Sequence, residues 1–357
     1  MENLEKLIKK TSFIGCDDIL LFLKDELESK VQELKIFGDK TKIFLAGINT
    51  KLCNIEPIVL AGHIDTVAAN VALYQTNPYQ LTIVDGKGYG LGTIDMKSFT
   101  AIIMDNLALI KKCNVPVVLA LTTDEETELK SIKMMIDKFK ELKIKPKFTI
   151  LGEPTKSEFN LSANACFEYK VKFIGKSCHS GKMSDGINAI CACAKLISMI
   201  ETRQKAYQLT SNCGKIVGGE VVNKVPDYAE LLFDIRSTCQ EDVTNFLEEI
   251  NYYILKLKQE YSGLVVEFEE TLSIPAFNMT NNQKIKAIAN RLGIKIGHFQ
   301  GSCEAGYYTA YSGDAVIFGV GDLSLSHKPN EYVEIKEYNV YSNQLIDVIE
   351  KIKKLYF

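Results

Sequence analysis

Apolar positions in the first part of the chain follow two rhythms. Helical spacing marks "DDILLFLKDELES" from Asp17 and "SFTAIIMDNLALIKK" from Ser98, and short unbroken apolar runs mark "KIFLAG", "PIVLAGHID", "VPVVLALTT" and "KFTILGE". Runs of that length, bounded by turn residues, read as buried strands, and the longer periodic stretches read as helices. Their alternation predicts an α/β fold, a mainly parallel sheet flanked by helices. Sheets of this kind take ligands beyond the carboxyl ends of their strands.

The pattern changes near Phe167. "FEYKVKFIG" alternates like a half-exposed strand, "GINAICACAKLISMIETRQK" is a long amphipathic helix, and "AELLFDIRS", "DVTNFLEEINYYILKLKQEY" and "LVVEFEETL" predict strand, helix and strand. The first style resumes with "DAVIFGVGD" and a last helix in "YNVYSNQLIDVIEKIKKLYF". We therefore expect an α+β unit over residues 166–272, inserted into a larger unit made of 1–165 and 273–357. A chain of 357 residues exceeds what one core usually organises, which agrees with two units.

Composition narrows the classes. A net charge of −3 with both signs interspersed gives no basic stripe of the sort that neutralises phosphates, so nucleic acid is not an expected partner. No apolar run is long enough for a transmembrane helix, and "MENLEKLIKKTSF" is charged and helical in spacing, unlike a leader peptide. The ten cysteines are scattered, several in apolar periodic context such as Cys191 and Cys193, which fits reduced thiols and a cytoplasmic protein.

Candidate chemistry gathers where strands end. "IVLAGHID" delivers His63 and Asp65, "VVLALTTDEE" delivers Glu125 and Glu126, and "FTILGE" delivers Glu153. Neighbouring parallel strands would bring these ends to one edge. "GKGYGLGTIDMKS" places four glycines before Asp95, but its spacing fits neither the dinucleotide fingerprint nor the P-loop. The glycines are expected to let backbone approach a crowded site. Of the four histidines, His179 and His327 lie in turn-rich polar contexts, and His298 reads as structural.

Each residue also has an ordinary reading. Asp124–Glu128 could form an acidic first helical turn, His63 a hydrogen-bonded core imidazole, Asp95 a helix cap, Glu153 a turn glutamate and His327 a surface histidine. Taken together, two imidazoles and three carboxylates suit two zinc-like ions sharing a carboxylate. Such ions would also explain adjacent glutamates, which otherwise repel one another.

The segments "GHIDTV", "GLGTIDMKS", "TTDEE", "LGEPT", "GKSCHS", "GGEVVNKVPDYAELLFDIR" and "SLSHKPNEYVEI" resemble, in family order, the dinuclear zinc deacylases and peptidases that include acetylornithine deacetylase, succinyl-diaminopimelate desuccinylase and aminoacylase. The resemblance implies that His63, Asp95 and Glu153 bind one metal, that Asp95, Glu126 and His327 bind the other, and that Asp65 orients His63. It makes Glu125 the general base and His179 an oxyanion donor supplied by the partner in a homodimer. It assigns Asn223, Arg236 and Glu304 to substrate binding, and the inserted unit to lid and dimerisation. Two zinc ions are implied, with cobalt or manganese as possible occupants.

Three positions depart from the family pattern: Ala68, Leu91 and Ser98 stand where proline, arginine and glycine are common. "SCEAGYYTA" is nearer the acetylornithine deacetylases than the desuccinylases, which carry Asp-Ala-Arg where this chain has Glu304-Ala305-Gly306. The expected reaction is removal of a short acyl group from an N-acyl amino acid, foremost N2-acetylornithine. The alternatives are desuccinylation of N-succinyl-diaminopimelate, another deacylase or dipeptidase, or a catalytically silent metal-binding homologue.

Overall fold

A computed structural model of the chain describes every residue except Ile14. The chain divides into two compact units: Met1–Ser162 with Met279–Phe299 and Cys303–Phe357, and Ala163–Asn278 with Gln300–Ser302.

In the first unit the main sheet runs, in spatial order, Glu33–Gly38, Lys42–Ile48, Val117–Thr122, Ile58–His63, Phe148–Leu151, Asp314–Ile317 and Phe159–Ala163. Ile58–His63 pairs in parallel with Val117–Thr122 on one side and Phe148–Leu151 on the other. Asp314–Ile317 continues the parallel run, and the first two strands add an antiparallel hairpin at the edge. The three central strands are buried along their whole length, because helices cover both faces.

On one face Ile58, Leu60, Val117, Leu119 and Phe148 share a core with helices Glu2–Ile8, Lys97–Asp105 and Ile335–Tyr356. The last helix buries Tyr338, Tyr341, Leu345, Val348, Ile349 and Ile352, a helical stripe worth about 1.5–3 kcal/mol per large apolar side chain. On the other face lie helices Lys130–Leu142 and Ala305–Tyr311, where Phe139 packs against Tyr308 and Tyr311. The α/β architecture is therefore the expected one.

Some local expectations need correction. The helix expected from Ser98 to Lys112 breaks at Asn106, whose side-chain amide donates to the Ile102 carbonyl and to Ser342 Oγ. Strand Glu33–Gly38 had no clear signal, because its side chains are neither fully buried nor alternating.

The second unit is a four-stranded antiparallel sheet in the order Leu209–Gly218, Tyr228–Ser237, Ala165–Ile174 and Val265–Ile274. Helices Ala189–Arg203 and Gln240–Glu260 join it in one core that includes Phe167, Tyr169, Val171, Phe173, Phe233 and Phe246. Strand Leu209–Gly218 is at the edge of the sheet and mostly exposed. All ten cysteines are free. Among the described residues, no helix is long and apolar enough to cross a membrane.

Candidate metal centre

His63 is the last residue of the central strand, flanked in parallel register by Val117–Thr122 and Phe148–Leu151. The segments that follow these three strands carry Asp65, Glu125 with Glu126, and Glu153 to the same edge of the sheet. Two glycines allow the close packing beneath. A Cβ on Gly62 would stand 2.3 Å from Met96 Cε, and one on Gly152 would stand 2.1 Å from Phe99 Cγ. The ligand-bearing strand ends thus press directly on the residues that follow Asp95.

Asp95 links the two halves of the site. Its Oδ1 is 3.0 Å from His63 Nε2, and its Oδ2 is 3.4 Å from His327 Nε2. Glu153 Oε1 lies 3.9 Å from His63 Nε2, and Glu126 Oε1 lies 2.9 Å from His327 Nε2. Asp65 stands behind. Its backbone carbonyl is 3.1 Å and its carboxylate 3.5 Å from His63 Nδ1, and its Oδ2 accepts the Glu126 N–H at 3.0 Å. One carboxylate therefore braces an imidazole and the backbone of a neighbouring acid.

Three sets bring one ligand atom from each residue within 4.8 Å: His63/Asp95/Glu153, Asp95/Glu126/His327, and His63/Glu125/Glu126. Metal–ligand bonds of ~2.0–2.2 Å in tetrahedral array put ligand atoms about 3.4 Å apart, so the observed spacings fit cations. The donor set of imidazole and carboxylate suits zinc, cobalt or manganese.

The electrostatics point the same way. Burial pushes the Glu125 carboxyl well above its ordinary value and that of Glu153 up to about 8. Burial also opposes ionisation of Asp95, but hydrogen bonds from His327 and His63 outweigh it and hold that carboxyl well below the usual range. Hydrogen bonds to Asp95 and Glu126 raise His327 to about 10. For His63, burial favours the neutral ring, yet Asp65, Asp95 and Glu153 drive its pKa well above the ordinary value. Protons thus offset the crowded negative charge, in the positions where bound cations would displace them.

Asp124 has a structural task. The helix begins only at Lys130, so Asp124–Glu128 is not its first turn. Instead Asp124 Oδ2 accepts the Lys130 N–H at 3.0 Å, and Oδ1 accepts the Ser131 N–H at 2.9 Å and the Ser131 hydroxyl. It satisfies the amides at the helix start from outside. Asp124→Ala should cost about 1–2 kcal/mol in urea unfolding, the range for loss of such a cap. A loss near zero would show that water replaces the carboxylate.

Asp95 is also not a helix cap. Met96 occupies that position, and the Asp95 carboxylate turns to the imidazoles. His298, expected to be structural, shares a hydrogen bond at 2.9 Å with Ser162 Oγ.

Of the residues assigned to substrate, Glu304 is 1% exposed and forms no ion pair among the described residues, with the Thr122 hydroxyl a polar side-chain neighbour that acts to lower its pKa. Burial raises its pKa to about 8. Arg236, in the second unit, donates from Nε to Asp234 Oδ2 at 3.1 Å and from Nη1 to Ser302 Oγ at 3.4 Å, so its guanidinium already has partners. Asn223 is exposed, and its carbonyl accepts the Ser180 N–H. His179 is exposed, and its Nδ1 accepts the Gly181 N–H at 3.0 Å. In the neutral ring this places the proton on Nε2, leaving that nitrogen as a donor.

Sequence reasoning missed Glu331. Its buried carboxylate accepts the N–H groups of Gly92, Ile94 and Asp95 at 3.0, 2.8 and 3.3 Å.

Comparison with known proteins identifies the family. Residues 59–351 match the model of peptidase family M20/M25/M40. An acetylornithine deacetylase of Pectobacterium atrosepticum is 30% identical over 78% of this chain and 75% of its own. Among solved structures, a tripeptidase of Staphylococcus aureus superposes with a TM-score of 0.76 at 22% identity, over 99% of this chain and 97% of that one. A dinuclear metal-binding peptidase of the M20 family from Bacillus subtilis gives 0.71 at 15% identity, over 99% and 97%. At those identities the two structures establish the fold alone. With the family match covering most of the sequence, the chain is a hydrolase belonging to peptidase family M20/M25/M40.

Proposed function

We propose that this protein is a cytoplasmic two-metal amidohydrolase that removes the acetyl group from N2-acetylornithine. The carrying observation is Asp95, whose two oxygens face His63 and His327 on opposite sides, as a carboxylate shared by two cations would. His63, Asp95 and Glu153 would hold one ion and Asp95, Glu126 and His327 the other, zinc foremost, with cobalt or manganese compatible. Bound there, the ions would polarise the amide carbonyl and acidify a water molecule.

The chain's own residues would do the rest. Glu125 would accept the water's proton as the new C–O bond forms and the carbonyl oxygen gains negative charge, and then pass that proton to the amine nitrogen as the C–N bond breaks. His179 Nε2–H is suited to donate to the carbonyl oxygen as negative charge develops there.

We assign His179 to the site of a second copy in a homodimer, and the second unit to dimerisation and lid. The exposed edge strand Leu209–Gly218 supports this, together with exposed Ile216, Val217, Val221 and Val222, the last fully exposed. Unpaired strand edges of this kind are templates for pairing.

The acetylornithine assignment rests on the names of the relatives and on Glu304. A buried carboxylate with no ion-pair partner among the described residues suits a substrate ending in an ammonium better than one bearing a second carboxylate. Asn223 and Arg236 would complete substrate binding, Arg236 by exchanging Asp234 for a carboxylate.

Zinc-loaded protein tested on N2-acetylornithine, N-succinyl-diaminopimelate and short peptides decides the matter. Preferred turnover of the acetyl compound is expected. Brisk turnover of the succinyl compound or of peptides, with none of acetylornithine, would overturn the substrate. Silence on all three, with two ions bound, would favour a non-catalytic homologue.

A further inference from the structure

We infer that Glu331 is the positioning residue of the metal centre, fastening the loop of Asp95 to the segment of His327 so that the two act as one rigid support. The inference rests on the two-metal reading above.

Three backbone N–H donors converge on its carboxylate. Oε2 accepts the Gly92 N–H at 3.0 Å, and Oε1 accepts the N–H groups of Ile94 at 2.8 Å and Asp95 at 3.3 Å, while the Thr93 hydroxyl, 3.4 Å from Oε1, gives its proton to the Gly90 carbonyl at 2.8 Å. Amides of one short loop can face a single anion only when the backbone curls. Gly92 supplies the curl with φ +80°, a value side chains resist. Glu331 is 2% exposed and among the few fully buried acids of the chain. Without these donors its charge would be costly to keep there. The loop and the carboxylate therefore require each other.

The backbone of Glu331 is fixed independently. Its carbonyl accepts the Gly90 N–H at 3.1 Å, and the next residue, Tyr332, opens a strand that pairs antiparallel with Lys87–Tyr89. The chain thus grips residues 87–95 by backbone on one side and by side chain on the other. Four residues before Glu331 stands His327, in a tight turn where His327 and Asn330 both have positive φ. Asn330 Oδ1 in turn accepts the Gln75 N–H at 2.7 Å. The backbone just past His327 is thus held at Asn330 and Glu331. Asp95 and His327 each contribute to the same ligand set, so one carboxylate registers a shared ligand against the histidine that completes the set.

Glutamine at this position keeps the shape but removes the charge and replaces one acceptor with an NH2 group facing N–H donors. Calorimetric titration of the metal-free protein with Zn²⁺ tests the idea on the parent, Glu331→Gln, and Glu334→Gln as a partly exposed control from the strand that follows. The parent and the control are expected to bind two ions alike. Glu331→Gln should bind at least one of them ~10–100-fold more weakly, the usual loss when an outer partner of a ligand is removed. Its turnover should recover toward the parent value as Zn²⁺ is raised, which a merely unfolded protein would not show.

Two ions bound by Glu331→Gln as tightly as by the parent would overturn the inference. A parent that binds no pair of ions would instead overturn the two-metal reading. If Glu331→Gln does not fold, Glu331→Asp keeps the charge but withdraws it by one methylene, and parent-like affinity in that variant would likewise overturn the clamp.

Discussion

Glutamine in place of Glu125 is expected to leave two metal ions bound while lowering turnover by ~10²–10⁴-fold, the usual contribution of a positioned general base. Glutamine preserves the volume and the hydrogen-bonding reach of the side chain. What it loses is the capacity to take a proton. Glu125 stands one residue before Glu126, which faces His327, and burial raises its affinity for a proton. Steady-state kinetics and elemental analysis on the same preparation give the answer. Unchanged kcat would remove Glu125 from the role of base. A loss of metal would show that Glu125 is a ligand, and that the set it forms with His63 and Glu126 is the one occupied.

Asp95→Ala should have the second large effect, and a different one. Asp95 is common to the two sets that contain Glu153 and His327, so its removal is expected to deprive the protein of both ions, whereas His327→Ala should spare one. The affinity loss in Asp95→Ala should exceed the ~10–100-fold that follows loss of an outer partner. Metal content after dialysis against a weak chelator distinguishes the variants. If Asp95→Ala retains one tightly bound ion, the carboxylate is not shared, and the two positions are filled independently.

Much of this arrangement was legible in the sequence because it follows from local rules. Apolar runs ending in His63, Glu125 and Glu153 have the length of parallel strands, and parallel neighbours must finish on the same side. The residues that escaped are those whose role depends on a meeting of distant segments. Glu331 binds amides 236 to 239 positions earlier in the chain, and no periodicity reports such a partner. Asp124 was read among a row of acids, but its oxygens serve amides six and seven residues ahead, across a turn the pattern did not reveal. Asn106 interrupts a helix that composition alone would continue, by offering its own amide to the Ile102 carbonyl. Arg236 has the residue type for a substrate carboxylate, yet only the folded unit shows Asp234 already beside it.

The order of strands carries a consequence for how the chain reaches this state. Asp314–Ile317 lies between Phe148–Leu151 and Phe159–Ala163, so a late segment fills a slot between two early ones. Until it arrives, the two early strands lack the neighbour that joins them in one sheet. Synthesis from the amino terminus must carry that gap through the whole inserted unit, and contacts this remote are slow to form. His327 and Glu331 follow that strand in the sequence, so the candidate site draws on the same late part of the chain. The candidate ligand set that contains His327 is therefore drawn from both sides of the late strand in the sequence, and a chain that stops short of that strand lacks it.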